Sequence, residues 1–231
     1  MIKNGLKLPD FIIGGAARCG TTTLYELLKT IDEIYLPPNK RPEPHFFLKS
    51  WEFAKGLEYY STKYFKDAKE GQVIGECSTS YLYRYDLADK IKKYLGNIKW
   101  IFILRNPLDR LISQYFFNIG NKIEYNDINF AIRYERERVE STILHWKEIA
   151  PFDYTGRSLY SKGIKKYMED QGYERIADFR GRALKYIVKP EAVEYKHVVA
   201  ELIEAKCTGC GICVRPGCCE AIELKLSLIH I

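Results

Sequence analysis

No part of this chain is apolar for anything near the roughly 18 residues that a membrane span requires. The hydrophobic stretch near its start, residues 11–17, is short and lies between Asp10 and Arg18. Neither a membrane anchor nor a signal peptide is expected. Charge of one sign is also scarce: 36 Lys and Arg against 30 Asp and Glu leave +6, an excess that suits a polyanionic ligand but is too diffuse for a nucleic-acid groove. Cysteines spread for a disulfide framework are missing, since Cys19 and Cys77 stand alone and the other five of the seven crowd between Cys207 and Cys219. A reducing, cytoplasmic compartment is the default that follows. No internal repeat is found. What is present is an ordinary globular composition, 46% hydrophobic and 29% charged, with 14% aromatics led by 18 tyrosines, enough for a large core. The 231 residues make one full domain and at most a small second one.

Residues 9–13 read as a short buried strand, followed by small polar residues and then by Leu24, Leu27, Leu28 and Ile31 at helical spacing. Residues 32–44, with four prolines, read as a loop. Helical stripes at 56–65 and 87–95 flank a brief strand at 73–76. Residues 98–104 are a nearly unbroken apolar run, as expected of a central parallel strand covered on both faces. Asn106 and Pro107 supply an N-cap and a first-position proline for a helix with Asp109 in its first turn and Leu108, Leu111, Ile112 and Tyr115 as its buried stripe. Further helical patterns lie at 128–139, 141–149 and 162–168. Strands separated by helices predict an α/β fold, a P-loop-like parallel sheet flanked by helices, with a small Cys-rich C-terminal tail.

The turn between the first strand and the first helix holds Gly15, Arg18, Cys19, Gly20, Thr21 and Thr22. Such a turn aims successive N–H groups and a helix N-terminus at any anion held there. Its spacing matches the G-x-x-x-x-G of a P-loop, yet Thr21 stands where a Walker motif requires Lys, which disfavours a nucleoside triphosphatase or a phosphate-loop kinase. What remains is a cradle for a 5′-phosphate-type group, with Arg18 as the nearby cation; an ordinary Gly-rich turn is the other reading of these residues alone.

The run FIIGGAARCGTTTLYELL resembles the 5′-phosphosulfate loop of sulfotransferases that use 3′-phosphoadenosine 5′-phosphosulfate (PAPS). Three more blocks follow in the family's order: PEPHFF at 42–47, GECSTSYL at 75–82 and IFILRNPLDRLISQY at 101–115. The resemblance covers about the first 170 residues and is strongest to the branch that includes the bacterial and heparan-type enzymes. It implies sulfonate transfer to a hydroxyl or amine of an acceptor such as a carbohydrate or small molecule. It also implies roles for individual residues. Arg18, in the place of the family's usual Lys, would neutralise charge on the leaving oxygen, though arginine does not readily donate its proton. Cys19, Gly20, Thr21 and Thr22 would hold the 5′ group, and Arg105 with Ser113 the 3′-phosphate. Glu43 would be the general base, its pKa raised by the neighbouring Phe46 and Phe47, with His45 as partner or alternative base. On residues alone, Glu43 also fits a solvated loop carboxylate, His45 a core histidine, Ser113 a solvent-facing helix serine and Arg105 a surface ion pair. Cys77 replaces a Lys usual in the family and reads as a buried filler. Residues 157–160 resemble a later R-G-x-Y block, and the domain is expected to stop short near residues 167–172.

The texture changes near Asp170. Residues 171–206 read as a connecting segment and 207–225 as a Cys-rich unit in which Cys207, Cys210 and Cys213, with Cys218 or Cys219, resemble a ferredoxin-type [4Fe–4S] motif; structural zinc is the other reading. Residues 226–231, LSLIHI, match a translated sequencing adapter and stay outside fold reasoning. A sulfotransferase needs no electron-transfer cluster, so the tail is expected to be a fused, unrelated piece. An iron–sulfur electron-transfer fragment is the alternative function this tail would carry.

Overall fold

A computed structural model describes residues 2–3, 5–38, 43–142 and 149–178. The chain divides into two units, 1–180 and 181–231, and all described residues belong to the first. In chain order its elements are β1 (Ile2–Lys3), β2 (Leu6–Lys7), β3 (Phe11–Gly15), α1 (Thr21–Leu28), β4 (Ile34–Tyr35), α2 (Ser50–Phe53), α3 (Gly56–Phe65), β5 (Val73–Cys77), α4 (Ala88–Leu95), β6 (Lys99–Phe102), α5 (Pro107–Gly120), α6 (Ile128–Arg133), α7 (Glu135–Ser141) and α8 (Ser161–Asp170). β1 and β2 form a small antiparallel hairpin. The other four strands make a parallel sheet in the order β4-β5-β3-β6.

β3 lies between two neighbours, and its five residues are all buried. Successive side chains of a strand point to opposite faces. Ile12 accordingly joins the larger core with Phe46, Phe47, Tyr60, Phe65, Ile91 and Ile98, while Phe11 and Ile13 join Tyr25 and Leu36 on the other face. Phe46 stacks on Tyr60 at 4.3 Å between ring centroids, and Phe47 meets Tyr60 edge-on at 5.9 Å. Each such ring, fully buried, contributes roughly 1.5–3 kcal/mol relative to exposure.

The sheet departs from the sequence reading in informative ways. Residues 98–104 do not form a central strand: β6 is the outer strand of the described sheet, with Lys99 exposed and Trp100, Ile101 and Phe102 half-buried. The run is apolar because both its faces are covered: Trp100 and Phe102 pack on Tyr167 of α8, and Ile101 packs on the opposite face. The proline-rich loop conceals β4, which pairs Ile34 with Val73 and Tyr35 with Ile74. The pattern at 128–139 forms two helices separated at Tyr134, whose φ of −108° and ψ of 18° leave the helical range. Of the pattern at 141–149, residues 143–148 lie outside the described part.

The strand registers set where the loops emerge. Ile13 is level with Cys77 on one side and Ile101 on the other, and Gly15 with Phe102. The segments after β3, β5 and β6 therefore leave the sheet at the same carboxyl edge, where open α/β sheets bind ligands. Backbone bonds tie them together there: Ala16 N–H to Ile103 O (2.9 Å), Ser78 N–H to Ile13 O (3.0 Å) and Leu82 N–H to Gly14 O (2.9 Å).

Candidate active site

The turn after β3 folds tightly. Arg18 has φ +70° and Gly20 φ +90°, a left-handed conformation that glycine adopts without cost. Gly20 is the N-cap of α1 and provides no side-chain cap, so the first amides of that helix are left to an outside acceptor. Nothing lies within 4 Å of where a Cβ on Gly20 would stand, which keeps the approach to those amides open. Loop and helix end together fit a 5′-phosphate group.

α5 approaches from the next strand. Asn106 caps it by accepting from the amides of Leu108 (3.0 Å) and Asp109 (3.4 Å), with Pro107 at the first position. The expected stripe is only partly right, because Leu108 is 62% exposed while the helix buries Arg110, Leu111, Gln114 and Asn118. Ser113 turns to the loop, where its Oγ accepts from Nε of Arg18 at 3.3 Å. The Arg18 guanidinium also lies 4.5 Å from the Phe117 ring. Arg18, Arg105, Asp109 and Ser113 line a hollow of about 420 Å³ with Phe116 and Phe117. Two cations and a hydroxyl in one hollow fit a second phosphate.

On its other side the loop opens into a cavity of about 510 Å³, which Arg18, Thr21 and Thr22 share with Glu43 and His45. The structure thus brings these predicted residues to one place. Oε2 of Glu43 accepts from the Thr79 hydroxyl (2.8 Å) and the Thr79 amide (3.4 Å). Nε2 of His45 lies 3.2 Å from the same oxygen and 3.4 Å from the Ser80 amide nitrogen. His45 is buried, and burial, helped by Lys49 and Arg157 against the pull of Glu43, lowers its pKa to about 4. Its ring is neutral at pH 7. The Phe pair was expected to bury Glu43, but both rings point into the core, and the Glu43 side chain remains 39% exposed. The burial falls on His45 instead.

Cys19, expected among the donor contacts, turns inward. Its Sγ lies 3.7 Å from Tyr160 Oη and its amide donates to Ala16 O (3.2 Å). Cys77 is buried and free, as a filler would be, though it touches the cavity wall. Among the described residues no group of His, Cys, Asp and Glu could hold a metal. Cys207, Cys210, Cys213, Cys218 and Cys219 lie outside the described part.

The sequence reading gives no individual role to Thr79, Ser80, Gln114, Asn118 or Arg157, all of which line the cavity. Arg157 is buried, donates from Nη2 to Ser80 Oγ (3.2 Å) and from Nη1 to Ile149 O, and lies 5.0 Å from the Tyr83 ring. It also lines a second cavity of about 260 Å³ beside Ala16, Ala17, Tyr83 and Tyr160. The hydroxyl run Ser78-Thr79-Ser80, directly after a strand at the ligand-binding edge, was the available signal for the first two.

Known proteins are similar to this chain. The family model of the sulfotransferase domain matches residues 8–187. The membrane-associated sulfotransferase kil1 of Dictyostelium discoideum is 31% identical over 120 residues, 49% of this chain and 24% of that protein. The heparan sulfate glucosamine 3-O-sulfotransferase 5 of Mus musculus is 25% identical over 163 residues, 71% of this chain and 45% of its own length. The chain thus spans from about a quarter to under half of these relatives. A crystal structure of a sulfotransferase from Alicyclobacillus acidocaldarius superposes with a TM-score of 0.63 at 22% identity, covering 83% of this chain and 88% of that one. No helix among the described residues is long and apolar enough to cross a membrane.

Proposed function

The chain belongs to the sulfotransferase domain family, and from that premise we propose that it moves a sulfonate group from PAPS to a hydroxyl or amine, a carbohydrate being the acceptor class that the heparan-type relatives suggest. The observation that carries this reading is the shared cavity, in which Glu43 faces the same space as Arg18, Thr21 and Thr22. A base and an anion cradle opening on one space are what an in-line displacement at sulfur needs.

PAPS supplies the sulfonate, and the bond from its sulfur to the 5′-phosphate oxygen breaks as the acceptor oxygen or nitrogen bonds to sulfur. The acceptor's proton passes to Glu43, and adenosine 3′,5′-bisphosphate departs with the electron pair. Glu43 is oriented for this by the Thr79 hydroxyl. His45 beside it is neutral and so leaves the carboxylate without a cation on that side. Arg18 offsets the charge that grows on the leaving oxygen, working as a fixed cation and not as an acid. Amides at the start of α1 hold the 5′ group, and Arg105 with Ser113 holds the 3′-phosphate, the group that separates PAPS from ATP.

Thermal unfolding with adenosine 3′,5′-bisphosphate, 5′-ADP or ATP tests the donor assignment. A ligand at about 100 times its Kd adds roughly 2.7 kcal/mol. We expect a raised midpoint with the 3′,5′-bisphosphate alone, lost in Arg105→Ala. Equal shifts with all three nucleotides, or none, would refute a PAPS site.

A further inference from the structure

One face of α5 carries a buried run of polar side chains, Arg110, Gln114 and Asn118, four residues apart and so one above another. The hydrogen bonds that begin at Asn118 run in one direction only. Glu124 is buried, and although burial alone would raise its pKa, the Arg138 guanidinium and nearby amides hold it down to about 2, so it is an ionised acceptor. Tyr154 Oη must therefore donate to Glu124 Oε2 (2.8 Å), which leaves its oxygen to accept from Nδ2 of Asn118 (3.0 Å). The second Nδ2 hydrogen goes to the carbonyl of Pro151 (2.9 Å), which can only accept. These two partners fix the orientation of the Asn118 amide. Its Oδ1 then accepts from Nε2 of Gln114 at 2.9 Å. Gln114 in turn gives one Nε2 hydrogen to the interior, which fixes the orientation of its amide, and its Oε1 stays available to the cavity it lines.

Gln114 follows Ser113 on the helix, and successive helical residues are about 100° apart. Ser113 consequently serves the hollow with Arg18 and Arg105, while Gln114 serves the cavity that holds Glu43. We infer that Gln114 is a specificity-determining residue for the acceptor: its Oε1 accepts a hydrogen bond from a second hydroxyl or amine of the acceptor molecule, near the group that is sulfonated. The acceptor class this selects is a polyhydroxylated or aminated compound with neighbouring donors. The inference rests on the sulfotransferase reading, and its test separates the two.

With the full chain and labelled PAPS, transfer is measured to methyl β-D-glucopyranoside, to methyl glucosaminide and to cyclohexylmethanol, a six-membered ring with one hydroxyl and no second donor. Bisphosphate-dependent thermal shifts are recorded in parallel. The expected result is a preference for the sugars of at least about tenfold in kcat/KM, because a hydrogen-bonding site rejects analogues that leave it unpaired. In Gln114→Met that preference falls to near one while the bisphosphate shift is kept, which also shows that the variant folds. No preference in the unaltered protein, or an undiminished one in Gln114→Met, overturns the inference. So does transfer to none of the three by a chain that the bisphosphate stabilises, and in that case the sulfotransferase reading survives. If the bisphosphate does not bind, both fall together.

Discussion

Glu76 is a carboxyl sealed inside the molecule: its Oε1 takes the Ser78 hydroxyl hydrogen, and its Oε2 is buried without a partner. Burial raises its pKa to about 8. A carboxyl whose folded pKa lies above its unfolded value favours the fold fully below about 4.5, and that benefit drains away as pH climbs to about 8. His45 has the opposite sign, its contribution being present above about 6.5 and lost as pH falls toward 4. Glu76→Gln keeps the shape and removes the ionisation. Unfolding midpoints from pH 5 to 9 should show the variant gaining on the unaltered protein as pH rises and levelling off above about 8; a constant difference would mean that Glu76 does not titrate in this range. Glu76 stood in a block already singled out, yet nothing local marked it as buried. Its burial comes from β5 lying between β3 and β4, an arrangement of the sheet and not of the residue's neighbours in sequence.

Elements whose signals are local were the legible ones. The start of α5 could be read because Asn106 and Pro107 act on amides two and three residues away. Its buried face could not, because Arg110 is accommodated by Ser158 Oγ (2.6 Å) and Tyr154 O (2.7 Å), more than forty positions along. The same contrast governs α8. A helical glycine is normally improved by alanine, by about 0.4–1 kcal/mol. Gly163 is different: a Cβ there would stand 2.3 Å from the Leu82 carbonyl oxygen, so helix and loop meet at a distance only glycine permits. Gly163→Ala should destabilise by about 1–3 kcal/mol, as overpacking does, read from the urea midpoint. A neutral or stabilising result would show that α8 moves away at little cost.

Across the whole molecule, the loop proposed for the donor was the readable half of the cavity lining and much of the opposite wall the hidden one. The loop of residues 15–22 is continuous in sequence, and so is the Arg105–Ser113 segment. The remaining cavity wall is assembled from Thr79, Gln114, Asn118, Pro151 and Arg157, which only the fold brings together. The mild charge excess of +6 likewise said little until Arg18 and Arg105 were seen to share one hollow. One feature of that loop reaches beyond recognition. Because Gly20 gives α1 no side-chain cap, an anion bound there would complete the helix. Thr22 and Thr23 are exposed in the free chain, and their amides should exchange with deuterium quickly, then slow when adenosine 3′,5′-bisphosphate is present, while the amides of β3 stay protected throughout. Unchanged rates at Thr22 and Thr23 would place the anion elsewhere. In the slowed case, the nucleotide is also part of the scaffold, and the first turn of α1 records its occupancy in the exchange clock of two threonines.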